Sequence, residues 1–437
     1  MKFSKLSQLI LVSSISLLVA AFFSACALVT VDYVFVACSA GSGTSSAGEI
    51  QTFAVDSQSG ALRTGAATVS SGGVNPVSMA VTSDYANLYV AHQGTPPTGG
   101  SIVHLTIASD GTLTVKDTVT LSSTPIALAV NSAGTYLYVV SCTAASNTAY
   151  PTLSCNSGAN SATLAEYSLS SSGVISSTAT STQTLSLYGT YSSYSNDILV
   201  PTGLTVLANN SIVSGNAVYV TAYDQSSYYP GGTPTCHSNC ANPGWVFGYT
   251  IGSHGSLSPL ANPFEAGVKP TAIASDPTNR FVYVTDYASN ALIGYAIMST
   301  NMLNFLPNDP VAAGGEPSAV TIDPRGLFIY VTNSLDSTVS AYEITLATGI
   351  PTASISATYS AGYNSTDTQP VAVTVEPALG RFVYTANYLN GTVSGFRLDP
   401  TSGFVSQTQA TPYITGFHPT ALVSVPHGNH STQSTNP

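Results

Sequence analysis

The sequence predicts an all-β fold: a seven-bladed β-propeller with four antiparallel strands per blade, its last blade closed by three N-terminal strands plus one C-terminal strand. Three observations carry the prediction. A hairpin of two alternating strands recurs as RFVYVTDYASNALIGYAI (280–297), LFIYVTNSLDSTVSAYEI (327–344) and RFVYTANYLNGTVSGFRL (381–398). A residue followed by Pro and a short apolar run occurs seven times along the chain. The repeat starts part-way through at the N-terminus, and the piece missing there is the last one at the C-terminus.

The Pro-initiated run is strand A of each unit. It reads NPVSMAVTS (75–83), TPIALAVNS (124–132), VPTGLTVLA (200–208), KPTAIASDP (269–277), EPSAVTIDP (316–324), QPVAVTVEP (369–377) and HPTALVSVP (418–426). Pro suits the first residue of a strand, where its missing N–H costs least. Strand B follows a short turn: NLYVAH (87–92), YLYVVS (136–141), AVYVTA (217–222), FVYVTD (281–286), FIYVTN (328–333) and FVYTAN (382–387). Strand C ends near an aromatic or aliphatic position, as in ALIGYAI and TVSGFRL, and a Gly- or Asn-containing turn leads to a weaker strand D. Alternation with period two, broken by turn residues, marks antiparallel strands. Four strands repeated every roughly 40–50 residues make a propeller blade. The N-terminal DYVFVAC (32–38) supplies the seventh strand B, followed by its C and D, and HPTALVSVP supplies their strand A. Such closure leaves no open blade edge between the termini.

The remaining segments are short. Lys2 and Lys5 precede an apolar run from Leu9 to Phe23, so residues 1–25 are expected to be a signal peptide of the lipoprotein type. Phe23-Ser24-Ala25-Cys26 resembles a bacterial lipobox, which would make Cys26 the lipidated, membrane-anchoring residue. Residues 26–31 form a tether, 32–426 the propeller, and 427–437 a tail expected to be disordered. Of the five further cysteines, Cys142, Cys155, Cys236 and Cys240 are expected to form disulfides in an exported chain, with 142–155 and 236–240 preferred among three pairings. Cys38 lies in an alternating strand and is left as a small hydrophobe.

Composition excludes some functions. Only 7% of the 437 residues are charged, and the net charge of −11 includes just nine Lys and Arg. Nucleic-acid binding needs clustered cations, so no nucleic-acid partner is expected. No nucleophile elbow, P-loop or dinucleotide fingerprint occurs. Cys236 to Cys240 does not follow a standard zinc spacing. No metal or other cofactor is expected, and the chain is expected to be a monomer.

Length variation points to one face. Successive A-strand prolines are spaced by 49, 76, 69, 47, 53 and 49 residues. The two long intervals hold insertions at 142–161, 186–199 and 223–244. All three fall in B–C or D–A loops, which emerge on the same face because strands alternate direction. Loops on a rigid scaffold commonly carry binding and catalysis. Two rings of residues border the channel there. The residues before the prolines are Asn75, Thr124, Val200, Lys269, Glu316, Gln369 and His418. Strand B ends at Cys38, His92, Ser141, Ala222, Asp286, Asn333 and Asn387.

With YVTN-type repeats and this closure, the chain resembles the seven-bladed propellers of the lactonase-like family over about residues 32–426. That family includes 6-phosphogluconolactonase-type enzymes, cyclases acting on carboxymuconate, and surface-layer YVTN-repeat proteins. The resemblance implies His, Glu and Arg at the channel mouth. Here the Arg is missing: Arg280, Arg325 and Arg381 fall in A–B turns on the opposite face, and Arg63 and Arg397 lie in or beside outer strands. An anionic substrate would lack its clamp, so the expected substrate is a neutral lactone or ester. His418, Glu316, Asp286, His92 and Lys269 are the candidate catalytic residues, because they alone at the mouth suit proton transfer. The plainer alternative is that they hydrogen-bond neighbouring blades. A second functional class is a non-catalytic cell-surface module recognising a glycan or protein. It would use the aromatic faces of Tyr188, Tyr191, Tyr194, Tyr223, Tyr228, Tyr229 and Trp245.

Overall fold

The computed structural model describes residues 29–40, 46–95, 99–143, 155, 161–187, 198–207, 216–225, 244–353, 359–360 and 369–428. Seven antiparallel sheets follow one another round a ring. Blade 1 contains Pro76–Val81, Asn87–His92, Ser101–Ile107 and Leu113–Thr120, as strands A to D. Strands A and B of blade 2 are Thr124–Val130 and Tyr136–Cys142, and those of blade 3 are Leu199–Val206 and Asn216–Asp224. Blades 4, 5 and 6 begin at Pro270, Pro317 and Pro370 and repeat the same order. Blade 7 joins Pro419–Pro426 as strand A to Thr30–Cys38, Glu49–Asp56 and Leu62–Thr64 as strands B, C and D. Closure is therefore by three strands and one, as the sequence predicts.

One register is common to all seven blades. The first Pro of strand A pairs with the last predicted residue of strand B: Pro76 with His92, Pro125 with Ser141, Pro201 with Ala222, Pro270 with Asp286, Pro317 with Asn333, Pro370 with Asn387 and Pro419 with Cys38. The residue after each Pro is bulged out of the ladder. Where that residue has a hydroxyl, it can clamp the next blade. Thr271 donates to the Pro317 carbonyl at 2.7 Å, Ser318 to Pro370 at 2.6 Å and Thr420 to Pro76 at 2.6 Å.

The core is not central. It consists of seven apolar clusters, one in each seam between adjacent blades. Strand B is buried on both faces, since its alternate residues serve the seams on either side; in blade 4 every residue from Phe281 to Asp286 is buried. This explains the FVYVT-type motif. Its Tyr hydroxyl crosses the seam to the carbonyl of a left-handed residue in the next C–D turn. Tyr89 reaches Gly173 at 2.6 Å, Tyr219 Asn301 at 2.7 Å, Tyr283 Gly349 at 2.6 Å, Tyr330 Gly403 at 3.0 Å and Tyr384 Gly60 at 2.8 Å. The Phe two residues earlier fills the space beneath that turn. A Cβ built on Gly349 would lie 2.3 Å from the Phe281 ring. At the blade 3–4 seam the turn carries Asn301, and blade 3 supplies the small Ala217 in place of Phe.

Two seams depart from the pattern. Opposite the motif Tyr, strand C has Gly or Ala in blades 3 to 6 but His104 in blade 1 and Glu166 in blade 2. His104 bonds Asp117 at 2.6 Å and Asn87 at 2.9 Å. Glu166 intrudes under the blade 3 turn, so that a Cβ on Gly255 would lie 1.9 Å from its Oε1. Burial pushes the Glu166 carboxyl up to about 7.

Cys142 and Cys155 form a disulfide, one of the two preferred pairings. The backbone N–H of Cys155 also donates to the Gln225 side chain at 2.9 Å, tying the blade 2 insertion to blade 3. Cys38 is free and buried, and burial pushes its thiol up to about 12. At the C-terminal end His427 packs edge-on against Tyr33 at 5.2 Å. Cys26, Cys236 and Cys240 lie outside the described residues.

Candidate functional site at the channel mouth

The mouth is built where each D–A crossing ends. The residue before the A-strand Pro points its carbonyl at the first residue of its own B–C loop. Five blades share the bond: Gln93 to Asn75, Tyr287 to Lys269, Ser334 to Glu316, Tyr388 to Gln369 and Ser39 to His418, at 2.9–3.2 Å. With the backbone pinned, the side chain is left at the mouth. Lys269, Glu316, Gln369 and His418 are all part-exposed.

Four of these residues adopt left-handed backbone: Asn75 (φ 55°), Glu316 (φ 54°), Gln369 (φ 45°) and His418 (φ 45°). Asn tolerates that region well. Glu and Gln enter it at a cost of about 1 kcal/mol or more, and His at less. Residues held in such conformations cluster at functional sites. Left-handed backbone also occurs in turns away from the mouth, as at Tyr85 and His254, and at the mouth it falls on three side chains able to exchange protons or hydrogen bonds.

The five candidate catalytic residues separate into two groups. His92 and Asp286 end strand B, and both are buried beneath glycines of the D–A crossing. A Cβ on Gly73 would lie 2.5 Å from the His92 ring, and one on Gly267 would lie 2.1 Å from Asp286 Oδ2. Asp286 accepts the backbone N–H groups of Val268 at 2.8 Å and Lys269 at 2.9 Å, so its carboxylate fixes the loop that presents Lys269. The His92 Nε2 lies 2.9 Å from the Ser71 hydroxyl, and burial pulls the ring down to about 4, leaving it neutral. Asn333 has the same place and bonds Gly314, Thr338 and Ser340. This lower ring organises the loops.

The upper ring holds Lys269, Glu316 and His418. The Lys269 ammonium sits over the Tyr287 ring at 4.3 Å and the Tyr223 ring at 5.6 Å. Burial lowers its pKa, and Glu316 partly restores it. Glu316 is fixed through its backbone, its N–H donating to Asn290 Oδ1 at 2.8 Å and its carbonyl accepting the Ser334 hydroxyl at 2.9 Å. His418 stacks on Tyr388 of blade 6, with centroids 4.4 Å apart and planes at 13°. Phe417 meets the same imidazole edge-on at 6.4 Å. Sequence reasoning passed over Tyr287, Tyr388 and Phe417. Their signal was available: an aromatic follows strand B in blades 4 and 6, and another precedes His418.

Of the proposed aromatic binding residues, Tyr223 and Trp245 are buried in the seam between blades 2 and 3, packed with Cys142 and Cys155. Tyr188, Tyr191, Tyr194, Tyr228 and Tyr229 lie outside the described residues.

Comparison with known proteins places this fold. The model of the family described as lactonase, seven-bladed β-propeller, matches residues 37–182 and 248–359. The chain belongs to this lactonase family. Solved structures give the same fold at low identity. A candidate 6-phosphogluconolactonase from Bacteroides uniformis is 12% identical with a TM-score of 0.67, covering 91% of this chain and all of that one (100%). The periplasmic gluconolactonase of Pseudomonas aeruginosa is 18% identical with a TM-score of 0.63, at 91% and 100% coverage. A protein from Lactobacillus plantarum is 17% identical with a TM-score of 0.65, at 90% and 99% coverage. Comparison with curated protein sequences gave no match. In this lactonase-family chain the upper ring carries Lys269, Glu316 and His418 part-exposed at the mouth.

Proposed function

We propose that the channel mouth hydrolyses a neutral lactone or related ester. The observation that carries this reading is the left-handed backbone at Glu316 and His418, each held at the mouth by a bond from its own B–C loop. In this reading His418 accepts a proton from water as the water oxygen attacks the acyl carbon. The ring C–O bond then breaks, and the imidazolium returns the proton to the departing alkoxide, leaving a hydroxy acid. Glu316 and Lys269 set the field around the developing charge. The names of the Bacteroides and Pseudomonas relatives agree with lactone chemistry. Their substrates are not carried over, because no Arg stands at this mouth.

A screen of neutral lactones with wild type and His418→Ala tests the proposal. Loss of about 100-fold or more in kcat is expected for a general base; an unchanged rate in the variant would overturn it. We further propose export to the cell envelope with a lipid anchor at Cys26, which the disulfide in blade 2 favours. Cys26→Ala should release the protein from the membrane fraction, and its retention there would exclude this anchor.

A further inference from the structure

The three most exposed large apolar side chains among the described residues are Ile414, Phe417 and Leu335, at 83%, 71% and 64%, with Leu389 at 50%. They are not scattered. All four stand on the loop face, in blades 5 and 6 or on the crossing into blade 7. Ile414 pairs with Thr392, and the Thr415 N–H donates to the Gly391 carbonyl at 2.9 Å, which seats the 414–418 crossing against the Leu389 turn. Leu389 follows Tyr388, and Phe417 precedes His418, the two rings that stack at 4.4 Å. One blade away, the Leu335 N–H donates to the Gly315 carbonyl at 3.1 Å, directly before Glu316. His418 and Glu316 therefore each have exposed apolar side chains on their own or the adjoining loop.

We propose that this edge of the mouth is a subsite for an alkyl or aryl substituent of the substrate, so that the site takes apolar-substituted lactones rather than sugar lactones. The inference rests on the hydrolytic reading of the same mouth and names its substrate class. Monomeric proteins bury or disperse apolar side chains, and exposed apolar side chains gathered on adjoining loops beside polar groups mark a contact surface. Continuity with His418, through Phe417 and the Tyr388 stack, makes the small molecule reacting there the occupant. A polyhydroxylated ring placed on Leu389, Ile414 and Phe417 would lose hydration without gaining partners. A hydrocarbon substituent loses nothing by leaving water.

The test uses the purified full chain and two readouts. Binding is measured with a pentyl-substituted γ-lactam, which cannot be hydrolysed as a lactone, and with the unsubstituted γ-lactam. Turnover is measured with the pentyl γ-lactone and glucono-δ-lactone. The pentyl compound is expected to bind about 10-fold or more tighter than the unsubstituted one. Phe417→Ser with Leu389→Ser should remove most of that preference and raise KM for the pentyl lactone with little change in kcat. Both side chains are exposed, so the thermal midpoint should hold. Equal binding of the two lactams, or an unaltered preference in the double variant, overturns the subsite. If the lactam preference appears and is lost in the variant without any lactone turnover, the subsite stands and the hydrolytic reading fails. If every lactone is turned over regardless of substituent, the reverse holds. Dissociation of a wild-type dimer by the same substitutions would assign the patch to a second copy of the chain and overturn the proposal.

Discussion

Glu316 shows how a single residue can be read from its backbone. Its φ of 54° belongs to the region that Asn75 occupies at the matching place in blade 1. Local stability would favour Asn there as well. Glu316→Asn is expected to raise stability by roughly 0.5–1 kcal/mol, since Asn tolerates left-handed backbone where Glu does not. Lactone hydrolysis should fall in the same variant. Denaturant midpoints and initial rates measured together check it; a variant with no gain in stability would show that the loop, and not the side chain, sets the strain. Sequence placed Glu316 and His418 at the mouth by their position before the A-strand Pro. It could not show that Asp286 and His92, one pairing position away, are roofed by Gly267 and Gly73.

At the scale of the element, the C–D turn is the key that each blade presents to its neighbour. Gly349 has φ 76°, gives its carbonyl to Tyr283 and leaves no room for a Cβ above Phe281. Gly349→Ala combines a left-handed Ala with overpacking, and should cost about 3 kcal/mol. In a Phe281→Ala background the added cost should shrink, because that pairing recreates the small-residue seam of Ala217 and Asn301. Chemical denaturation of the double-mutant cycle measures the coupling. Additive effects would refute the proposed fit of Phe281 under the turn.

The whole ring depends on the seam where the chain closes. Asp32, near the start of the first strand, and Glu376, in the A–B turn of blade 6, are both buried there. Glu376 accepts the backbone N–H groups of Leu379 at 2.8 Å and Arg381 at 2.6 Å. Burial, and then the Glu376 charge, hold the Asp32 carboxyl far above its ordinary value of 3.8. A raised carboxyl pKa means that the folded chain binds a proton the unfolded chain has released. The resulting penalty is absent below the ordinary value and grows as pH rises above it, so stability should decline from mildly acidic toward neutral pH. Asp32→Asn should flatten that slope and raise the melting temperature at neutral pH. A steeper slope in the variant would reverse the assignment.

The sequence by itself determined the blade count, the strand order, the closure and the face on which the loops grew. Each rests on local periodicity: the pleat alternates sides every residue, and a Pro or a turn residue marks each strand end. Tertiary structure decided what the motif is for and which polar residues remain available. FVYVT looked like a strand signature, and in the structure its Phe and Tyr act on the next blade, about 66 residues further along the chain at Tyr283 and Gly349. Likewise Asp286 ends a strand at the mouth and Glu316 immediately precedes one, yet the first lies under a glycine and the second beside an exposed leucine. Neither fact is encoded within a few residues of the side chain concerned, because burial and backbone strain are set by what packs on top.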